Sequence, residues 1–183
     1  GRLVLDGYEE PDQLHLTLAY LGNAADIPDE MKALIMTNVE YLAEVFAPIV
    51  ANAFSVNLFN PSSENACVVL GVSGSNELVD LHASVQSALR GLGSEFPENH
   101  KPWIPHITLA YNVTGEVVTS AIERTGPVTL DRIRITFAGE NFDFSLGEQM
   151  LTAAVGIGHK KATGEWPAEE GVPSSVEITT ASV

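Results

Sequence analysis

Leu14-His15-Leu16-Thr17-Leu18-Ala19-Tyr20 and Pro105-His106-Ile107-Thr108-Leu109-Ala110-Tyr111 are two copies of one pattern, 91 residues apart. From the histidine to the tyrosine five of six positions are identical, and the sixth exchanges Leu16 for Ile107. The chain has only five histidines, so chance is a poor source for such a match. In a β-strand, residues i and i+2 share a face. Each copy therefore offers a His and a Thr side by side, and turns Leu16 and Leu18, or Ile107 and Leu109, toward a core. If the two polar faces meet, two imidazoles and two hydroxyls converge, and that set suits a phosphate ester. A neutral imidazole can take a proton from water or a ribose hydroxyl, and an imidazolium can give one to the leaving oxygen. An unperturbed histidine titrates near pH ~6.5, so both forms are accessible near neutrality. Thr17 and Thr108 can donate to the non-bridging oxygens and hold phosphorus in line between the rings.

A single His-x-Thr would read as an ordinary cross-strand pair on a surface; the pairing of two copies is what points to chemistry. Zinc is the competing use for two histidines from separate strands. No third His, Cys or carboxylate has matching local spacing, so no metal and no other cofactor is expected.

The elements that must position these residues follow from periodicity. Leu14 to Tyr20 reads as a strand, then a helix capped by Asp29 runs to about Val50, disturbed near its end by Pro48. Phe54 to Phe59 and Ala66 to Val72 read as strands, and Asn76 to Leu92 as a helix. His106 to Tyr111 reads as a strand and Glu116 to Arg124 as a short helix. Val128 to Phe137 and Asn141 to Leu146 read as a final pair of strands with Gly139 in the turn. Two helix-containing halves with adjacent strands imply an α+β duplication. Residues 1–147 are expected to form the domain. After Gln149 the pattern fades, and residues 148–183 read as a linker or disordered tail, with room to tether a further module.

Composition narrows the partners. Apolar residues make up 45% of the 183, enough for a core. The formal charge is −15, of which the tail from Gly147 onward carries −3 and the rest −12. Acidity spread over the folded part argues against an extended nucleic-acid surface, which needs many Lys and Arg contacts to phosphate. A small nucleotide or an RNA end held by a few local groups remains open. No apolar run has membrane-spanning length and no signal peptide is evident, so a cytoplasmic setting is expected. The chain begins at Gly1, which reads as a fragment or a processed piece. The lone Cys67 lies in an apolar run and reads as a buried, inert thiol.

Further candidates lie near the motifs. Trp103 could stack on a base and Lys101 could meet a phosphate, or the loop that carries them could simply pack. Arg132 and Arg134 share a strand face and point either into a groove or into solvent. Tyr20 and Tyr111 alternate away from their histidines, toward a packing role. His82, His100 and His159 read as incidental.

The paired His-hydrophobic-Thr motifs resemble the 2H phosphoesterase superfamily, which includes the 2′-5′ RNA ligase-like proteins and 2′,3′-cyclic phosphodiesterases. The spellings here look similar to phage and actinobacterial versions. The resemblance covers roughly Leu3 to Leu146. It implies a bilobal α+β fold in which two antiparallel sheets face a central groove with helices outside. It implies His15, Thr17, His106 and Thr108 as the active-site quartet, with one histidine activating water or a hydroxyl and the other protonating the leaving group. His106 as base and His15 as acid is one assignment; the near-identical motifs do not rank them. Members usually open with a strand before the first motif, whereas Gly1 to Glu10 read as a turn or helix end. The first strand is thus expected upstream of this sequence, leaving an open sheet edge.

The expected activity is a cyclic nucleotide phosphodiesterase or RNA 2′,3′-cyclic phosphodiesterase, in a bacterium or a phage-infected host. One variant is an enzyme that destroys cyclic nucleotide signals. The alternatives are a non-catalytic phosphate- or nucleotide-binding module within a larger phage or bacterial protein, and an interaction domain tethered by the tail.

Overall fold

The computed structural model describes residues 8–93, 96–97, 101–111, 113–147 and 175–181. Among the described residues, eight strands form one antiparallel sheet, with three α-helices. The strands are β1 His15–Asn23, β2 Ile49–Phe59, β3 Cys67–Val72, β4 His106–Ala110, β5 Gly126–Leu130, β6 Arg132–Phe137, β7 Glu140–Ser145 and β8 Ser175–Ala181. The helices are α1 Asp29–Val45, α2 Asn76–Gly91 and α3 Gly115–Ile122.

Each helix follows from its sequence. Ser75 caps α2 by accepting from Leu78 N at 3.2 Å, and the helix buries Leu78, Leu81, Val85 and Leu89. Thr114 does the same for α3 through Val117 N. α1 starts at Asp29, but Pro28 occupies the cap position and makes no side-chain bond; Asp29 and Glu30 instead place negative charge in the first turn, where the helix dipole favours it. The helix stops at Val45 rather than near Val50. Pro48 follows, and from Ile49 the chain is already β2, which begins five residues before the expected strand.

The strand order is β5-β2-β3-β4-β1-β8-β6-β7. The expected pair of separate sheets is corrected to a single sheet, because β1 and β4, the two motif strands, lie side by side and join two four-stranded blocks through the pair Leu16↔Ile107. Each block mixes both sequence halves: β1 sits with β6 and β7, and β4 sits with β2 and β3. Val128 to Phe137 is not one strand either. It breaks at Asp131 into β5, on an outer edge beside β2, and β6, six strand positions away. A flat sheet would separate those positions by about 29 Å at ~4.8 Å per strand, whereas one intervening residue spans at most ~7.6 Å. The sheet is therefore strongly curled. β6 and β7 close on a two-residue turn in which Ala138 and Gly139 both have positive φ, 49° and 86°, the form whose twist matches a hairpin.

β8 corrects the reading of residues 148–183 as a linker or disordered tail, and with it the domain limit at 147. It pairs with β1 from His15↔Ala181 to Asn23↔Ser175 and with β6 from Arg132↔Ala181 to Phe137↔Val176. The open edge expected beside β1 is thus filled. Ile178 is fully buried, and Thr180 Oγ1 donates to the Arg132 carbonyl at 2.9 Å. A run rich in Val, Ile and Thr between two strands that both need a partner satisfies its own and their backbone groups at once. Residues 148–174 and the expected further module lie outside the described residues.

The core gathers Leu16, Leu18, Ile107, Leu109, Ile133, Ile135 and Ile178 with the inner faces of the helices. The other side of β1, β4, β8 and β6 carries the polar residues. No helix among the described residues is long and apolar enough to cross a membrane.

Candidate functional site

Counting outward from Leu16↔Ile107 in the antiparallel sense sets His15 opposite Thr108 and Thr17 opposite His106. The four residues are therefore cross-strand neighbours on one face, related by a local two-fold about that pair. Directly opposed residues of such a ladder have Cβ atoms about 5 Å apart. All four are half-buried.

The two rings are held alike. His15 Nδ1 lies 2.6 Å from the Gln13 carbonyl oxygen and His106 Nδ1 lies 2.7 Å from that of Ile104, in both cases the carbonyl two residues back. A carbonyl only accepts, so Nδ1 carries the hydrogen in each ring. Nε2 is left to accept a proton when the ring is neutral and to donate one when it is charged.

The strands also share an irregularity. Against β8, β1 slips between Thr17 and Ala19; against β3, β4 slips between Thr108 and Ala110. Leu18 and Leu109 are the extra residues. Their carbonyls are taken by donors from elsewhere, Gln86 Nε2 at 3.0 Å and Glu9 N at 2.7 Å. A bulge re-aims the side chains after it. Tyr20 pairs with Glu177 and is 41% exposed, and Tyr111 is 59% exposed, so the packing role expected for the two tyrosines by simple alternation is not what they have.

Beyond the shared frame the neighbours differ. Thr179 on β8 stands opposite Thr17, and Glu177 Oε2 lies 3.8 Å from His15 Nε2, an ion pair when the ring is protonated. On the other side, the Phe59 ring lies 4.7 Å from that of His106, tilted by 53°. Gly71 stands opposite His106 on β3. A Cβ there would come within 2.5 Å of Ser55 Oγ and 3.0 Å of Asn57 Nδ2, so glycine is what lets β2 side chains lie across the strand.

Arg132 and Arg134 do share the face of the quartet, but as parts of a network. Arg134 grips Asp143 with Nε at 2.6 Å and Nη2 at 2.9 Å, and its Nη1 donates to the Asp12 carbonyl at 2.8 Å. Arg132 bonds Asp131 at 2.9 Å and reaches Asp143 at 3.3 Å. The hydrogen bonds from Arg134 hold the Asp143 carboxyl below its ordinary range, against its partial burial, and the guanidinium is raised in turn. Trp103 is engaged by the fold: Nε1 donates to the Thr17 carbonyl at 3.1 Å, and the indole stacks on His82 at 3.8 Å with 2° between planes. His82 is thus no incidental residue but the surface that fixes Trp103, and burial pushes its imidazole below the ordinary value. Lys101 is exposed in the loop before β4. Cys67 is buried, and burial raises its thiol.

Glu177, Thr179 and Phe59 escaped the sequence reading. Val176-Glu177-Ile178-Thr179-Thr180 did carry a strand signal in its β-branched residues, but the tail around it has none. Among the described residues no three His, Cys, Asp or Glu side chains cluster so as to hold a metal.

The family model for the 2′-5′ RNA ligase superfamily matches residues 3–144. Among solved structures, TT0787 of Thermus thermophilus is similar in fold, with a TM-score of 0.54 and 22% identity over 78% of this chain and 84% of that one. No curated protein matches the sequence.

Proposed function

The chain belongs to the 2′-5′ RNA ligase superfamily, and from that premise we propose that it is a metal-independent phosphodiesterase. It opens 2′,3′-cyclic phosphates or cleaves small cyclic or 2′-5′-linked nucleotides by two-histidine acid–base catalysis. The observation that carries this reading is the matched pair of imidazoles, each fixed through Nδ1 on a carbonyl and each beside the other motif's threonine.

For a 2′,3′-cyclic phosphate, Nε2 of one neutral ring removes a proton from water while the oxygen attacks phosphorus. The bond to one ribose oxygen breaks, and Nε2–H of the other ring protonates that oxygen. The product is a nucleoside monophosphate; the rings end with their protonation exchanged and recover it from solvent. Thr17 and Thr108 donate to the non-bridging oxygens as charge gathers on them. We assign His15, whose Nε2 lies 3.8 Å from Glu177 Oε2, as the acid and His106, beside the Phe59 ring, as the base. The substrate is a small nucleotide or RNA end in a bacterial or phage-infected cytoplasm, since a chain of charge −15 is a poor partner for long RNA.

The test is incubation with 2′,3′-cyclic nucleotides and with 3′,3′-linked cyclic dinucleotides in EDTA, beside His15→Ala and His106→Ala. Turnover in the chelator, lost in either variant, is expected. Activity abolished by chelation overturns the mechanism, and tight binding without product would make the domain a nucleotide-binding module instead.

A further inference from the structure

A pocket of about 190 Å³ opens beside His15, on the side away from His106, between Arg134, Thr136, Asn141, Glu177 and Thr179. Thr179 is 2% exposed, and its Oγ1 has no hydrogen-bond partner. A buried hydroxyl without a partner is costly, and it stands here on the wall of a cavity next to the proposed acid. The other groups around it are polar, and the one cation among them is paired. Arg134 lines the pocket with three of its five N–H donors on Asp143 and the Asp12 carbonyl, so its charge is already paired with a carboxylate and it is not a free cation. Asn141 Oδ1 accepts from Thr136 Oγ1 at 2.7 Å, which leaves the amide nitrogen to donate. Glu177 can only accept while ionised, and its charge repels a further phosphate.

We propose that this pocket takes the nucleoside portion of the substrate, and that Glu177 makes the site select against a second phosphate on it. Resting on the phosphodiesterase reading, this narrows it to one of the substrate classes named there, mononucleotides whose only charge is the reacting phosphate, ahead of RNA ends and cyclic dinucleotides. Thr179 supplies a hydrogen bond to the ribose or base, Asn141 donates to it, and Glu177 accepts from an O–H or N–H.

The test measures binding, so that it stands apart from turnover. Affinities are determined for guanosine and adenosine 3′-monophosphates, the corresponding 3′,5′-bisphosphates, and inorganic phosphate. For wild type, the monophosphates are expected to bind more tightly than the bisphosphates. Thr179→Val, which removes the hydroxyl and keeps the shape, is expected to weaken the monophosphates about 3- to 10-fold, the worth of one hydrogen bond. Inorganic phosphate binding should stay unchanged. The thermal midpoint should not fall, since an unpartnered polar atom is lost. Glu177→Gln is expected to narrow or reverse the preference against the bisphosphates. Equal weakening of nucleotides and inorganic phosphate by Thr179→Val, or no weakening at all, overturns the proposal, as does an unchanged bisphosphate preference in Glu177→Gln. If the expected binding pattern appears without turnover in wild type, the pocket stands and the catalytic reading falls.

Discussion

His15 and His106 each bond the carbonyl two residues back, each precede a bulge, and each face the other motif's threonine. Past that frame, His15 meets a carboxylate on β8 and an arginine-buttressed pocket, while His106 meets an aromatic ring and Gly71 of β3, the strand paired with β2. The motif therefore gives both imidazoles one frame, and the strands beside them give each a different set of neighbours. On the proposed mechanism, those neighbours are what would divide the acid and base roles between two nearly identical motifs.

The largest effect expected is from the rings themselves. His15→Ala and His106→Ala should each lower kcat on 2′,3′-cyclic nucleotides by about 10²–10⁴-fold, the usual worth of a positioned acid or base. An aryl phosphodiester whose leaving group needs no proton breaks the symmetry: steady-state rates should recover in His15→Ala and stay low in His106→Ala. The opposite pattern would exchange the roles. Thr17→Val and Thr108→Val should each cost about 10²-fold in kcat, as for loss of one donor to a developing oxyanion. A change confined to KM would make them ground-state binders only.

The scaffolds behind the rings should also fail differently. On the His106 side, Gly71→Ala should destabilise by ~1–3 kcal/mol in denaturant melts, since the new methyl must displace Ser55 and Asn57. The loss should not depend on pH. On the His15 side the support is ionic. Asp143 has its carboxyl lowered by Arg134, so its contribution is present above the ordinary carboxylate range and is lost as pH falls through the lowered value. Asp143→Asn should thus lower the thermal midpoint modestly at neutral pH, and the gap to wild type should close in acid. A gap that persists at low pH would show that Asp143 acts by packing, not by charge.

Much of this was legible in the residues. The quartet could be named because strand periodicity is local, and the helix of Asn76–Gly91 could be placed because its apolar spacing and Ser75 cap are local too. The break at Asp131 leaves only a small mark, a slip of phase at Asp131-Arg132 between apolar Val128 and Leu130 and apolar Ile133, Ile135 and Phe137, and the curl of the sheet is what sends the two halves to different blocks. The tyrosines were misread because a bulge is set by pairing with a neighbour, which alternation along one strand cannot see. Trp103 and His82 stack across 21 positions of chain, and nothing in either segment announces the other.

By itself, then, the sequence determined the groups available: two His-x-Thr faces, a core to hold them, and a net charge of −15. Those are properties of residue type and short-range spacing. Only the tertiary structure decided that β1 and β4 lie side by side, that β8 fills the edge between β1 and β6, and that Glu177 stands against one histidine and Phe59 against the other. These are choices among long-range backbone partners. Hydrogen-bond satisfaction and burial make them across the whole chain at once, and no stretch of it carries them alone.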